Sequence, residues 1–566
     1  MLEAFPPFLF YVLGAPLILL VPNGPVRSAV LCLIPIAAIL CLLQLPYGDM
    51  GQAELMGYTL TLLRVDKLSF LFGLIFNIAA FLSLLYAWHI KDATQQVATL
   101  LYAGSAVGAV FAGDLITLFI FWEGTAVASV FLIWARGTEG AYHTGMRYLI
   151  IQVGSGVLLL AGALIQVAKT GSISFENMGL HDLGTGLIFL AFGIKCAFPL
   201  LHNWLQDSYP AATATGTVTL SAFTTKLAVY SLARGFPGTE LLIYIGAVMT
   251  IFPIFFAAIE NDLRRVLAYS LNNQLGFMVV GVGIGTELAL NGTAAHAFAH
   301  ILYKALLFMS MGAVMHRVGT TKATELGGLY KSMPLTMIFC VVGAMSISAF
   351  PLFSGFISKS LTMSAAAHEG HQVVWVVLLF ASVGVLEHSG IKIPFFAFFA
   401  HDSGKRCKEA PWHMLLAMGI TAALCIGIGV YPDPLYAILP FPVDYQPYTT
   451  AHVVTQLQML LFALLCFIWL YRKGWYPAEI RCVNLDFDWI YRRFLPSVLA
   501  RLGSAIDTTY SHATGIAKGL ISASINLSVD VFAPGGLSGR IARVGNAVAI
   551  VAFLLLVALV VSYSAI

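Results

Sequence analysis

Charge is what this sequence has least of. Acidic and basic residues together make up 10% of its 566 positions, against about 25% in soluble domains. Hydrophobic residues fill 59%, and mean hydropathy is +0.86. That composition excludes a soluble globular domain and implies an all-α polytopic membrane protein. No Lys/Arg tract occurs, and a net charge of +3 points to no nucleic-acid partner. The eight cysteines are scattered at 32, 41, 196, 340, 407, 425, 466 and 482. None forms a CxxC pair, so the spacing of neither an iron–sulfur cluster nor a structural zinc site is present. A Rossmann glycine motif and a Walker loop are also missing. The residues therefore call for no cofactor and no resident metal. HEGH at 368–371 has two imidazoles, but it falls on an expected outward loop with no further ligand. The loop residues His143, His181 and His401 read as solvated.

Long apolar runs are abundant. About 16 reach the ~20 residues that a crossing needs, near 5–22, 26–46, 68–90, 97–112, 115–135, 146–168, 185–207, 212–234, 239–259, 264–288, 293–316, 332–363, 373–400, 412–431, 451–471 and 545–565. The apolar start, FLFYVLGAPLILLV, lacks a basic n-region and a cleavage site and is expected to be the first span. Loops leaving odd-numbered spans carry Arg27, Lys91, Arg136, Arg147, Arg264, Arg265, Arg317, Lys322, Lys331, Lys405, Arg406, Lys408, Arg472 and Lys473. Loops leaving even-numbered spans carry only Arg64, Lys67, Lys169 and Arg234. The odd-exit loops are thus expected in the cytoplasm, with both termini outside. Between the last two spans, residues 496–534 place Val498, Leu499, Leu502, Ile506, Ile516, Leu520, Ile521 and Ile525 at helical spacing. The stretch is too polar to span and is expected to be an amphipathic helix lying along the membrane face and bracing neighbouring subunits.

The few charges that do fall inside apolar runs form a series. Glu123 lies in the fifth span, Lys195 in the seventh and Lys226 in the eighth. His296, His300 and Lys304 share one face of the eleventh through their four-residue spacing. Lys359 lies in the twelfth, and Glu387, His388 and Lys392 lie in the thirteenth. A Lys at mid-membrane costs roughly 2.5–3.5 kcal/mol on insertion scales, so such residues are functional by default. Glu387 is expected to neutralise Lys392. Two spans also contain a proline break, Pro199 in the seventh and Pro351 in the twelfth, and broken helices are tolerated where they line a wet cavity. The breaks are 152 residues and five spans apart. Five is odd, so the two halves face opposite ways, as in the inverted repeats of transporters.

This series suits proton relay. Low dielectric favours a neutral amine, and a carboxylate partner favours the ammonium. Making or breaking a Glu123–Lys195 contact can then switch Lys195 between holding and releasing a proton. The membrane potential supplies about 2.3 kcal/mol per charge per 100 mV, a comparable energy.

FWEGTA, FGIKCAFPLLHNWLQDSYPAA, TTKLAVYSLAR, ENDLRRVLAYSLNNQLGFM, HAFAHILYKALLFMSMGAV, LGGLYKSMP and FPLFSGFISKS resemble the successive motifs of the proton-conducting antiporter-like membrane subunits. That family is shared by respiratory complex I, membrane-bound hydrogenases and multisubunit Mrp-type sodium/proton antiporters. The resemblance covers roughly residues 65–430. Within the Mrp group, FPLFSGFISKS, GIKIPFFAFFAHD and NLDFDWIYRR most resemble the D-type component, whereas the long tail resembles the lateral helix and closing span of the largest such subunit of complex I. The chain departs from the family after the seventh-span break, where WLQDSYPAATATGTVTLSA stands in place of WLPDAH…AP…PVSA.

The resemblance implies three N-terminal helices over 1–95, inverted repeats over 97–234 and 239–400, two further helices over 412–471, a lateral helix over 496–534 and a closing span over 545–565. It makes Glu123 and Lys195 the helix-5/helix-7 pair, Lys226 the helix-8 relay and Lys304 the central lysine with His300 beside it. Lys359 becomes the lysine of the outward half-channel. His296, His388 and Lys392 complete the expected proton path. The implied function is a proton-translocating subunit of a multisubunit Na⁺/H⁺ antiporter in a bacterial inner membrane, a transporter subunit rather than an enzyme. Its implied partners are other membrane subunits, H⁺, Na⁺ and the bilayer. The same features fit a pumping subunit of a redox-driven complex or of an inorganic-carbon uptake system.

Overall fold

Several of the apolar runs open on a side-chain cap and continue as helices. The first four N–H groups of a helix lack intrahelical partners, and Asp66, Asp92, Asp114, Thr138, Asp182, Thr213 and Asp262 each accept one at a helix start. The computed structural model describes residues 5–55, 57–481, 484–534, 536 and 544–563. In it, α1 (Phe8–Leu20) and α2 (Pro25–Leu42) precede a hairpin of β1 (Gly48–Leu55) and β2 (Tyr58–Val65). Next come α3 (Lys67–Tyr86), α4 (Ala93–Phe111), α5 (Leu115–Trp134), α6 (Glu139–Thr170), α7 (Leu183–Lys195), α8 (Asn203–Ala211), α9 (Ala214–Ala222) and α10 (Thr224–Gly235). The second half comprises α11 (Leu241–Ile259), α12 (Leu263–Ile284), α13 (Glu287–Val318), α14 (Pro334–Ile347), α15 (Ser354–His368) and α16 (Gln372–Val385). α16 runs on through π-helical turns at Leu386–Ile391 and Phe395–Phe399. Helices Trp412–Val430 and Thr450–Lys473 follow.

The protein is a helical, multi-pass membrane protein. Among the described residues, eleven helices are each long and apolar enough to cross a bilayer. Three shorter apolar helices are α1, α7 and α14, of which α7 and α14 are the first halves of the two spans with proline breaks. The hairpin is the one pair of strands among the described residues. Its alternating TLTLLRV buries Leu60, Leu63 and Val65, in the stretch between the second and third expected spans.

The two breaks have the same backbone. Both read Ala-Phe-Pro-Leu, at 197–200 and 349–352. In each the Ala and the Leu take positive φ: 62° and 71° in the first, 57° and 73° in the second. Such conformations cost non-glycine residues of order 1–3 kcal/mol. Each Phe N–H donates five residues back, Phe198 to Gly193 and Phe350 to Met345, both at 3.0 Å. The likeness extends further. α6 and α13 are both 32 residues long, follow Thr138 and Thr286, and end on Gly171 and Gly319 at φ 73° and 82°. Isolated bridges join Asp114 to Ser174 and Asp262 to Lys322. These paired features mark an internal structural repeat.

α13 is the central element, with 94% of its most apolar stretch buried, against 17% for Thr450–Lys473. Ala294, Ala295, Ala297 and Ala299 let neighbouring backbones approach it closely.

One expected span is corrected. Residues 212–234 are not one continuous helix: the backbone leaves the helical ladder at Phe223 (φ −104°, ψ −69°), between α9 and α10. The Thr-rich run before it carries β-branched residues of weak helix propensity. Thr213, accepting from Gly216 N–H at 2.9 Å, starts α9 without the family's proline.

Residues 485–566 form a second compact unit. Its helix Leu495–Phe532 runs 38 residues and exposes Leu499, Leu502, Ile506, Ile516, Leu520 and Ile525. Against the expectation of a stretch too polar to span, Ile490–Phe532 is one of the eleven helices long and apolar enough to cross a bilayer, with a hydropathy of 1.2 over its best stretch against 2.8 for the closing helix Val544–Tyr563. Seven cysteines are free thiols; Cys482 lies outside the described residues, as do the last residues of the expected closing span.

Candidate functional site

α7 ends on Lys195, one residue before the break loop. The break directs its fully buried ammonium toward α5, where Nζ donates to the Trp122 carbonyl at 2.5 Å and the Thr125 hydroxyl at 2.8 Å. The same ammonium lies 4.4 Å from the centre of the Trp122 ring, a cation–π contact. Glu123 is within electrostatic range of Lys195, but its Oε1 accepts no hydrogen bond. The pair is thus close but unjoined, with the lysine held by neutral groups. α6 makes room for the carboxylate: a Cβ on Gly156 would overlap Glu123 Oε1. Counting 148 residues on, the first repeat's Gln152 and Gly156 correspond to His300 and Lys304 of the second. Gly156→Ala should displace the Glu123 carboxylate from α6 with unchanged membrane abundance, read by immunoblot.

The break at Phe223 positions Lys226. It frees the Ser221 carbonyl, and Lys226 Nζ donates to that oxygen at 2.5 Å. Cys196 lies within electrostatic range of Lys226, so the α7 end and the α10 start adjoin.

His296, His300 and Lys304 lie on α13, all fully buried. His296 Nδ1 shares a hydrogen bond with Ser358 Oγ at 2.9 Å, and its Nε2 lies 3.4 Å from the Tyr303 hydroxyl. Tyr303 donates to Gln274 at 3.1 Å, and Gln274 donates to Asn273. Neither ring nitrogen of His300 has a partner, and neither does Lys304 Nζ. Burying such groups unpaired is costly, which sets them apart from the hydrogen-bonded Lys195, Lys226 and Lys359. Lys226, Lys304, His296 and Lys359 all lie within electrostatic range of His300.

Lys359 repeats the Lys226 arrangement. It follows the second break, and its Nζ donates to the Ile347 carbonyl at 2.7 Å. His388 lies on the π-turn of α16, within range of Lys304, Lys392 and Lys359. Its Nδ1 meets Ser389 Oγ at 2.9 Å, Ser389 donates to Ser270 at 2.7 Å, and Nε2 is free of partners. Lys392 Nζ donates to the carbonyls of Ala258 (2.7 Å) and Ala257 (3.3 Å), at the C-terminus of α11.

The expected Glu387–Lys392 neutralisation acts at a distance: Glu387 stays within electrostatic range of Lys392 but does not form its ion pair. Lys392 is drawn to the negative end of α11, and there it pairs with Glu479 at 2.8 Å. Glu387 instead accepts from the Tyr476 hydroxyl at 2.6 Å. Both partners come from the segment after Thr450–Lys473, which carries no apolar signal. Trp122, Thr125, Ser270 and Ser358 are likewise invisible as partners in sequence. Three consecutive amides in an apolar helix, Asn272 to Gln274, were the available hint of a polar network. Within the first unit the series therefore runs from Glu123 and Lys195 through Lys226 to His300 and Lys304, then His388 and Lys392, with His296 and Lys359 branching from the centre.

A family model described as NADH:quinone oxidoreductase/Mrp antiporter, TM, matches residues 112–385. The D component of the Na(+)/H(+) antiporter of Alkalihalophilus pseudofirmus is 30% identical over 353 residues, which are 58% of this chain and 71% of that one. Hydrogenase-4 component B of Escherichia coli is 26% identical over 416 residues, 65% of this chain and 62% of that one. Among solved structures, a chain of the membrane-bound sulfane sulfur reductase, an archaeal respiratory membrane complex, superposes with a TM-score of 0.71 at 20% identity. That match covers 98% of this chain and 99% of the other.

Proposed function

The chain belongs to the NADH:quinone oxidoreductase/Mrp antiporter family of membrane subunits, and on that premise we propose that it translocates protons in a multisubunit monovalent-cation/proton antiporter. Other membrane subunits of the same complex are its partners, H⁺ and Na⁺ its substrates, and a bacterial inner membrane its place. The observation that carries this reading is the centre of α13. There a buried amine and a buried imidazole lack hydrogen-bond partners, with Lys226, Lys359 and His388 in electrostatic range. A structural charge would be paired; an unpaired one in a hydrated axis can exchange its proton.

The steps follow from the chain's own residues. Approach of the Glu123 carboxylate favours the Lys195 ammonium, and its withdrawal releases the proton toward Lys226. Lys304 and His300 then hold it midway between the two repeats. Because these sites are all cationic when loaded, a proton arriving at one raises the cost of holding a proton at the next.

The test is sodium-dependent proton movement in everted vesicles from an antiporter-deficient strain expressing the assembled complex. Wild type should show cation-linked proton release. Lys195→Ala should lose it at least tenfold while the complex still assembles, because Lys195 is the receiving partner of Glu123. Full exchange by this variant would overturn the relay. A second reading, a subunit of a redox-driven complex, is favoured by the extent of the fold likeness: 98% of this chain for the respiratory complex, against 79% for a chain of the Mrp complex from Dietzia sp.. An assembled wild-type complex with no cation-linked release would select that reading.

A further inference from the structure

Lys392 is the last lysine of the series and is completely buried, yet its ion-pair partner does not come from a neighbouring span. The partner, Glu479, lies six residues beyond the end of Thr450–Lys473. Its side chain is 8% exposed and reaches Lys392 Nζ at 2.8 Å. The segment that carries it is held at several points. Tyr476 donates to Glu387 at 2.6 Å. Its ring packs edge-on against Phe467 at 5.1 Å and stacks with Phe396 at 6.4 Å. Arg481 pairs with Glu325 at 3.3 Å. Asn484 donates to Glu260 at 3.3 Å, beyond the end of α11. Around Glu260 and Glu325 this face also carries Arg265, Lys322 and Lys405, the surface expected in the cytoplasm.

Lys392 thus meets the Lys/Arg-rich segment through one carboxylate, whose two oxygens are themselves buried. On the inner side His388 is in range of both Lys392 and Lys304. We propose that the segment 474–481 closes the Lys/Arg-rich mouth of the second repeat and that Glu479 is the proton-transfer group between water and Lys392. The inference rests on the transport reading above. A hydronium at the face protonates the Glu479 carboxylate; the resulting acid gives that proton to a neutral Lys392 amine, which regenerates the carboxylate and leaves the observed ion pair. Lys392 then passes the proton inward toward His388. Return to the starting state needs no other reactant.

The groups facing Glu479 are Lys392 and Glu387 from α16, Glu260 after α11 with Arg265 of α12 beside it, and Tyr476 of its own segment. Burial pushes the Glu479 carboxyl up from the usual carboxylate range, against the pull of Lys392. A raised value brings a carboxyl nearer the pH at which it exchanges protons efficiently.

The experiment measures proton flux against pH in vesicles holding the whole complex. Glu479→Gln should cut the flux about a hundredfold, the scale of a lost acid–base group. Glu479→Asp should keep at least a third of the flux with a displaced pH profile. A third variant combines Lys392→Met with Glu479→Leu, which removes both charges and leaves none unpaired. It should assemble normally and remain as slow as Glu479→Gln. Recovery of half the wild-type flux in that double variant, or a Glu479→Gln profile equal to wild type at every pH, would overturn the proposal while leaving the transport reading intact. Wild type without any proton flux would overturn both.

Discussion

Lys304→Ala should abolish proton translocation and leave the protein folded in the membrane. The expected fall is at least a hundredfold, the size of effect seen when a positioned proton carrier is removed. Two observations set this apart from ordinary core damage. Lys304 Nζ has no hydrogen-bond partner, so its removal strands no acceptor. It is also fully buried on the most enclosed helix of the fold, where a charged amine costs roughly 2.5–3.5 kcal/mol on insertion scales. Lys304→Met, which keeps the stem volume, should therefore raise the melting temperature of the detergent-solubilised complex while losing transport. Flux and thermal stability measured on one preparation decide the matter. Retained flux in both variants would remove Lys304 from the path. Lost flux with lost stability would make the residue structural.

Arg264→Met should do the reverse and cost the fold itself. Arg264 stands in the first turn of α12 and is 1% exposed. Its Nη2 donates to the carbonyls of Tyr209 (3.1 Å), Ala212 (2.9 Å) and Thr213 (3.2 Å), and to the Thr217 hydroxyl. These acceptors form the corner between α8 and α9, so one side chain ties the start of the second repeat to the turn that follows the first break. Each buried acceptor that loses this donor costs about 1–3 kcal/mol. About 4 kcal/mol is close to a thousandfold in the folded fraction. Membrane abundance should collapse, and Arg264→Lys should not restore it, because an ammonium lacks the planar fork. Wild-type abundance of Arg264→Met would show that the corner holds without it.

The contrast between these two residues bears on what a sequence reveals. Both are cations in an apolar chain. Lys304 was legible as functional because His296 and His300 recur at helical spacing on the same face. Arg264 was legible only as a loop charge marking orientation, because its acceptors are 47 to 55 residues away. The breaks at 199 and 351 were legible from proline. The break at Phe223 was not, since no residue there is barred from a helix. It becomes visible only when Lys226 is seen bonding the Ser221 carbonyl across it.

Sequence alone determined the solvent and the cast. Scarce charge and long apolar runs require a bilayer, since an unpaired polar group is tolerated there only where structure or function requires it. The same scarcity makes each intramembrane Lys, His and Glu conspicuous, and the two prolines disclose the repeat. Tertiary structure decided the pairings. Helical periodicity specifies which residues share a face, but not which face of another helix they meet. Only packing places Lys195 on Trp122 and Thr125 rather than on Glu123, sets Tyr476 against Glu387, and brings Glu479 across 87 positions to Lys392. A charge buried in low dielectric must take whatever partner the neighbouring backbone presents, and that partner is fixed by the contact of helices, not by distance along the chain.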